Sequence, residues 1–386
     1  GGVRASNLTA VIPDYSKEKL LIDADIKGPG KAVGPYFDET PLKDSLGATL
    51  QELQLDGDVN ARLHLDIPLN GELVTAKGEV TLRNNSLFIK PLDSTLKNLS
   101  GKFSFINGDL QSEPLTASWF NQPLNVDFST KEGAKAYQVA VNLNGNWQPA
   151  KTGVLPAAVN EALSGSVAWD GKVGIELPYH AGATYNVELN GDLKNVSSHL
   201  PSPLAKPAGE PLSVNVKVDG NLNSFELTGQ AGADNYFNSR WLLGQKLTLD
   251  RAIWAADSKT LPPLPEQSGV ELNMPPMNGA EWLALFQKGA AESVGGAASF
   301  PQHITLRTPM LSLGNQQWNN LSIVSQPTAN GTLVEAQGRE INATLAMRNN
   351  APWLANIKYL YYNPSVAKTR GDSTQSSPFP TTERIS

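Results

Sequence analysis

The feature that most constrains the fold is an alternation of apolar and polar residues between positions 53 and 69. Leu63 and Leu65 share one parity of this stretch, and His64 and Asp66 share the other. Successive side chains of a β-strand point to opposite faces of the sheet. The stretch is therefore predicted to be a strand with one apolar face and one hydrated face.

The same period of two recurs along most of the chain, and turn signals separate many of the runs. The clearest further runs lie at 137–143, 185–189, 214–218 and 341–347. The turn dipeptides are Asn70-Gly71, Asn107-Gly108, Asn144-Gly145, Asn190-Gly191, Asp219-Gly220 and Asn330-Gly331. Asn-Gly and Asp-Gly favour the positive φ angles of tight hairpins. The sequence predicts an antiparallel meander of roughly twenty or more strands.

Three short helices are predicted to interrupt the meander, over 41–53, 156–163 and 279–289. The third follows Asn278, and Glu281 stands three positions later, as in a capping box. Its apolar side chains are expected to be buried, and they are Trp282, Leu283 and Phe286.

Two short motifs recur three times in the same order. The first is at 65–69, 175–179 and 306–310, and the second is at 96–100, 193–197 and 318–322. We interpret them as a degenerate internal repeat. The predicted units are 1–150, 151–275 and 276–363, followed by a polar flexible loop or linker over 364–386. Asn7, Asn98 and Asn320 begin Asn-x-Ser/Thr triplets, and a turn role is predicted for them.

Charge and composition exclude several classes of function. The formal net charge is -6 and no basic stripe is present, so nucleic acid is a poor partner. The 386 residues include no cysteine. The sequence has no run of 18 apolar residues, so no membrane-spanning helix is predicted. We expect the chain to be a piece of a longer protein.

Signals for catalysis or for a cofactor are weak. The four histidines, none at metal-ligand spacing, are His64, His180, His199 and His303. No phosphate-binding loop or nucleophile elbow occurs. A carbohydrate-active enzyme would need a specific pair of carboxylates in a cleft, and the sequence offers no specific pair. We therefore predict a protein that is not an enzyme and has no metal or cofactor.

The apolar face itself is the remaining candidate site. Open sheets beyond about ten strands curl or split, and the predicted helices are too few to cover the face. The predicted fold is all-β: a long curled antiparallel sheet that forms a repeating β-groove, with a few short helices at the repeat junctions. Such a groove suits acyl chains, since each methylene withdrawn from water contributes ~0.8 kcal/mol. The predicted lining residues are Val59, Ala61, Leu63, Leu65, Ile67, Phe103, Phe105, Val126, Phe128, Val139, Val141, Val173, Ile175, Val187, Leu189, Val214, Val216, Val218, Ile341, Ala343 and Leu345.

An alternative reading needs no ligand. A structural β-rod of the cell envelope would seal the same apolar residues under a second sheet. A closed and dry core would distinguish the rod from the groove.

The motifs also resemble a known family. Together with 82–87, 115–120 and 279–286, they are similar to the AsmA-like family over essentially all 386 residues. The resemblance implies a periplasmic segment of a protein tethered to the inner membrane. It implies a bridge that carries phospholipid between the inner and outer membranes and supports the permeability barrier of the outer membrane. Both membranes would be reached by parts outside this segment, and the family offers no catalytic motif.

Overall fold

The computed structural model of the chain describes residues 2–14, 18–32, 53–89, 94–153, 155–180, 182–290 and 298–364. The predicted helix over 41–53 and the predicted linker over 364–386 lie outside these residues, apart from their boundary positions 53 and 364.

The described residues confirm the all-β class. They form 26 strands and two short α-helices. The chain divides into two compact units. Unit 1 comprises Gly1–Val154, Ser166–Leu193 and Asp219–Leu222, and unit 2 comprises Leu155–Gly165, Lys194–Val218 and Asn223–Ser386. The predicted division into three repeats stays a prediction.

Unit 1 is an antiparallel sheet. Its strands are β1 (Arg4–Val11), β2 (Lys19–Pro29), β3 (Leu53–Asp56), β4 (Asp58–Pro68), β5 (Thr75–Ile89), β6 (Ser94–Ile106), β7 (Asp109–Ser112), β8 (Leu115–Trp119), β9 (Gln122–Glu132), β10 (Ala136–Trp147), β12 (Val167–Pro178) and β13 (Thr184–Asp192). Pairing runs from β1 through β2, β4, β5 and β6. Both β7 and β8 join β6 to β9, and β10, β12 and β13 follow.

Unit 2 holds the two helices and the remaining strands. The helices are α1 (Ala157–Asn160) and α2 (Gly279–Ala290). The strands are β11 (Leu163–Gly165), β14 (Val196–Ser198), β15 (Ser213–Asn221, whose last residues belong to unit 1), β16 (Ser224–Ala231), β17 (Asn235–Leu243), β18 (Leu247–Ala255), β19 (Gly269–Asn273), β20 (Met277–Asn278), β21 (Ala298–Ser299), β22 (Ile304–Leu313), β23 (Gln316–Thr328), β24 (Gly331–Gln337), β25 (Ile341–Arg348) and β26 (Leu354–Leu360).

The meander of unit 2 is not antiparallel throughout. Strand β18 pairs in parallel with β19 and β21, and β22 pairs in parallel with β19 and β20. Parallel neighbours need a long connection between them. The connection from β19 to β22 contains α2, so the helix occurs where the antiparallel order is interrupted.

The alternating stretch 53–69 forms two strands rather than one. Gly57, with φ of 95°, separates β3 from β4. The buried amide of Asn85 donates hydrogen bonds to the carbonyls of Asp56 (3.0 Å) and Asp58 (3.1 Å). A Cβ at Gly57 would lie 2.8 Å from Asn85 Nδ2. The break therefore requires glycine and is held by one buried amide.

Three of the six predicted turn dipeptides lie inside strands. Asn144-Gly145 is in β10, Asn190-Gly191 in β13 and Asp219-Gly220 in β15. At Gly145 a Cβ would lie 2.9 and 3.0 Å from the indole nitrogens of Trp147 and Trp169. Here the glycine makes room for aromatic packing instead of a turn.

The turn role predicted for the Asn-x-Ser/Thr triplets is also wrong. Asn7, Asn98 and Asn320 lie within β1, β6 and β23 with φ of 51°, 53° and 47°. Register shifts occur at the first two. An asparagine tolerates this left-handed conformation better than most residues. The triplets thus mark local irregularities inside strands, as bulges do.

The capping box of α2 is confirmed. The Asn278 side chain accepts a hydrogen bond from the Ala280 amide (3.1 Å) and donates one to Glu281 Oε1 (2.8 Å). The expected burial of Leu283 is wrong, because 49% of it is exposed. Trp282 is half-buried and supplies the packing side of the helix.

A buried carboxylate fixes the turn between β24 and β25. Glu340 is 4% exposed and accepts hydrogen bonds from Asn319 N (2.6 Å), Asn319 Nδ2 (2.7 Å) and Asn363 Nδ2 (3.0 Å). Burial raises the pKa of this carboxyl, but the hydrogen bonds from Asn319 and Asn363 outweigh it, so the pKa lies below its ordinary value.

We predict that Glu340→Gln destabilises unit 2 by about 1–3 kcal/mol at pH 7, because a buried charged acceptor is lost. Since the folded pKa is lowered, the contribution is present above the ordinary carboxyl pKa and is lost as the pH falls through the folded value. Urea unfolding at a series of pH values should therefore show the gap between parent and variant closing toward acid. Glu335→Gln, an exposed position on β24, is the control. A gap that does not change with pH would contradict this role.

We predict that Asn98→Val lowers the urea midpoint, with a loss of about 1–2 kcal/mol, because a β-branched residue is strained at positive φ. Asn98→Gly should stay close to the parent, since glycine adopts this conformation freely. Equal losses for both variants would show that the asparagine side chain, and not its backbone, is required.

Candidate functional site

Register alone decides which side chains of unit 1 share a face. Val141 of β10 pairs with Phe128 of β9 and with Val173 of β12, and Val173 pairs with Val187 of β13. Directly paired residues point to the same side of a sheet. The predicted residues of these four strands therefore form one apolar row.

An apolar row also crosses the earlier strands of unit 1, from β2 to β6. Leu65 of β4 pairs with Ile22 of β2 and Ala76 of β5, and Val80 of β5 pairs with Phe103 of β6. Ile22, Ala76 and Val80 were not predicted to line the face, although each has the right parity.

Two aromatic rings bring the two halves of the row together. Phe103 and Phe128 lie on β6 and β9, which β7 separates, yet their ring centroids are 5.7 Å apart. Neighbouring strands are about 4.8 Å apart, so strands two apart are normally about 10 Å distant. The small residue between them is Ser112, whose hydroxyl accepts a hydrogen bond from the Phe128 amide (2.8 Å). The rings lean toward each other over this serine.

Contact with the packed core of unit 1 divides the predicted residues of this unit into two groups. Val59 and Val126 are 6% and 8% exposed and belong to a packed core. Those that pack against this core are Ala61, Phe103, Phe105, Phe128 and Val141. The others are half-buried: Leu63, Leu65, Ile67, Val139, Val173, Ile175, Val187 and Leu189. The first group packs within the core, and the second group keeps part of its apolar surface exposed.

Unit 2 contains a second apolar row. Trp254 of β18 pairs with Leu272 of β19, and Leu272 pairs with Leu306 of β22. The row continues through Ile323 and Ala336 to the predicted residue Ala343. In the next position of the sheet, Leu345 pairs with Val334. Ile341, at the start of the same strand, is half-buried like Ala343 and Leu345.

The predicted residues of β15 lie on the same side of unit 2. A Cβ at Gly229 of β16 would lie 3.9 Å from Val216 Cγ2 and 3.8 Å from Phe237 Cβ. Phe237 pairs with Trp254. Val216 therefore faces the same way as this row, and Val214 and Val218 share its parity and its half-buried state.

Cross-strand ion pairs keep the opposite face of unit 1 polar. Lys19 pairs with Asp66 (3.3 Å), and Lys102 pairs with Glu79 (2.8 Å). His64 Nδ1 lies 2.8 Å from Asp23 Oδ1, also on this face. The face that carries these charged groups is suited to water, and the opposite face is suited to an apolar surrounding.

A cleft of about 710 Å³ also occurs in unit 1; most of its lining residues belong to the polar face, and the predicted residues Phe105, Val139 and Ile175 line it as well. Pairing places Ser104 beside Gln111, Gln111 beside Ser129, and Ser129 beside Ala140. These residues have the parity opposite to Phe103 and Val141. Hydroxyl and amide groups on its wall do not suit an acyl chain.

Tyr137, whose pKa is strongly shifted, has a structural role. Burial raises the pKa of Tyr137 to about 12. Its ring is completely buried, and its hydroxyl contacts Gly108 O (2.8 Å) and Thr130 Oγ1 (2.6 Å). The part of the chain described by the structure holds no group of three acidic or histidine residues placed for a metal ion. Its helices include none that is long and apolar enough to cross a membrane.

Comparison with known proteins agrees with the resemblance noted from the motifs. A family profile described as "YhdP protein" matches residues 1–385. A curated relative from Escherichia coli (strain K12), named "Intermembrane phospholipid transporter YhdP", is 98% identical over 385 residues. The match covers 100% of this chain and 30% of the relative, so the chain spans less than a third of that protein. No solved structure matches the chain. The chain belongs to the YhdP protein family.

Proposed function

We propose that this chain is one segment of a conduit that carries phospholipid between the inner and outer membranes. Acyl chains lie on the apolar faces of units 1 and 2, and headgroups stay in water at the edges. The observation that carries the proposal is the register, which aligns apolar side chains across successive strands of each unit.

The apolar rows can supply the free energy that an acyl chain needs. A sixteen-carbon chain that leaves a membrane needs roughly 13 kcal/mol of stabilisation by other apolar surfaces, at ~0.8 kcal/mol per methylene. Val139, Val173 and Val187 are half-buried, so part of their apolar surface stays available. Shelter distributed over many strands lets a chain move without leaving apolar surroundings at any step.

The name of the curated relative supports the same proposal, since that protein is called an intermembrane phospholipid transporter. As this chain corresponds to 30% of that protein, the membranes are reached by other parts of the full-length protein. The segment then lies in the periplasm, is tethered to the inner membrane, and supports the outer-membrane permeability barrier.

The proposed activity is not enzymatic. Moving a phospholipid between two membranes makes and breaks no covalent bond, so no nucleophile or general base is required. Tyr137, whose pKa is strongly shifted, is buried and hydrogen-bonded within the fold.

A structural rod is the second candidate, and one observation favours it. The core around Leu82, Leu115 and Leu124 closes part of the apolar face of unit 1, with exposures of 4%, 2% and 2%. If the half-buried residues were also covered in solution, the segment would have no lipid surface.

We predict that Val187→Asp and Val216→Asp, placed together in the chain, remove most of the phospholipid that co-purifies with it from bacterial cells. An unpaired carboxylate among apolar groups costs several kcal/mol. Mass spectrometry of extracted lipid, quantified per mole of protein, measures the effect. We expect lipid on the parent chain and at least about a tenfold loss on the variant.

Asn186→Asp is the matched control, because Asn186 neighbours Val187 on β13 but is exposed on the polar face. It adds one negative charge, as each aspartate of the test variant does, and should keep the lipid of the parent. Equal loss in the control would point to net charge rather than to the apolar face. A folded parent chain without lipid would favour the structural rod.

A further inference from the structure

Helix α2 lies on the apolar face of unit 2. Trp282, on its first turns, packs on a cluster formed by Ala256, Met274 and Met277. These three residues are 7%, 4% and 7% exposed. The half-buried neighbours of the same cluster include Trp254, Leu272 and Leu306. Those three are the first members of the apolar row that continues to Ala343. We call Trp254, Leu272 and Leu306 the covered strip.

Trp282 packs directly on one end of the covered strip. Its ring centroid lies 6.3 Å from that of Trp254, with the rings inclined at 64°. Further along the row Ile323, Ala336 and Ala343 stay half-buried, and Ile357 is 55% exposed. An acyl chain extending along the row from Ala343 would therefore meet the indole of Trp282 where it packs on Trp254.

The helix is fixed firmly at its start. The Asn278 cap holds the first turn. A Cβ at Gly279 would lie 3.1 Å from Ser312 O, which shows how closely the helix start approaches β22. The start of α2 is thus suited to act as a pivot.

From Trp282 onward, the attachments that the structure describes are of a kind that can be exchanged. The indole of Trp282 donates a hydrogen bond to Ser202 O (3.0 Å). Lys288 forms an ion pair with Glu161, and both side chains are at least half exposed (50% and 62%). Ala280, Leu283 and Ala284 are exposed. Exposed ion pairs contribute little to stability. Among the side chains of α2 that the structure describes, Trp282 is the one that packs on the cluster of Ala256, Met274 and Met277.

An acyl chain is the occupant that fits this arrangement. It is apolar, as the covered strip is, and it can offer more apolar surface than one indole ring. It can therefore replace Trp282 on Trp254, Leu272 and Leu306 without leaving that surface to water.

We propose that α2 is a gate on the apolar face of unit 2, and that Trp282 must leave the covered strip before an acyl chain can occupy it. The inference rests on the proposed function and deepens it, because it places a controlled step within the lipid path. Trp282 is a positioning residue that decides when the strip is accessible.

The test uses the whole chain and vesicles of phosphatidylethanolamine that carries a photoactivatable diazirine on one acyl chain. Labelled peptides are identified by mass spectrometry. Labelling of Trp254, Leu272 and Leu306 reports the covered strip, labelling of Ala336 and Ala343 reports the open part of the row, and labelling of Val187 reports unit 1.

Trp282→Ala should raise labelling of the covered strip by about fivefold or more, because a site that is only partly available binds in proportion to its open fraction. Leu283→Ala, an exposed position on the same helix, should leave labelling unchanged. Trp282→Phe, which keeps an aromatic ring, should stay close to the parent. Strip labelling that does not rise in Trp282→Ala, while Ala343 is still labelled, would show that α2 is a permanent wall.

A second arm does not depend on the folding of that variant. The chain has no cysteine, so Lys288→Cys with Glu161→Cys gives two unique thiols that a reductant-cleavable bismaleimide can join. Joining them should abolish strip labelling, and cleaving the linker should restore it. Strip labelling that persists in the joined chain would overturn the gate. Absence of labelling in both units of every variant would instead contradict the proposed function itself, and the gate with it.

Discussion

Cross-strand register is the constraint on which the rest of this protein depends. A slip of one residue between two strands would move the apolar set of one of them to the hydrated face. Val141, Val173 and Val187 stay in line because β10, β12 and β13 pair without a shift. The ion pairs on the opposite face, such as Lys102 with Glu79, fit only the same register. Both faces therefore specify one alignment.

Departures from regular pairing are placed where the chain has a special residue. Gly57 ends β3 and lets Asn85 bind two carbonyls, while Asn98 adopts positive φ inside β6. In unit 2 the parallel pairing of β19 with β22 requires the long connection that carries α2. Irregular elements thus modify an otherwise uniform apolar face, and α2 covers part of it.

Much of the fold could be predicted from the sequence where only one face of a strand is covered. The strands containing Leu65, Val141 and Val187 show clear alternation. Strand β17 does not, because its second face is covered as well. The proline-rich stretch 261–265 lies over that face, and Asn238 of β17 donates a hydrogen bond to the carbonyl oxygen of Pro262 (3.1 Å). A strand buried on both faces loses the period of two. Phe237 and Trp254 were missed for this reason, since Ile253 and Ala255 beside Trp254 are buried too. The position of Trp282 on the row depends on tertiary packing that no local pattern encodes.

The most direct measurement is an experimental structure of the chain purified from bacterial cells without detergent. Our interpretation predicts elongated density along the half-buried row at Val139, Val173 and Val187, with no contact to the polar face at Asn186. Density for phospholipid elsewhere, or an apolar face closed by protein side chains in both units, would contradict it.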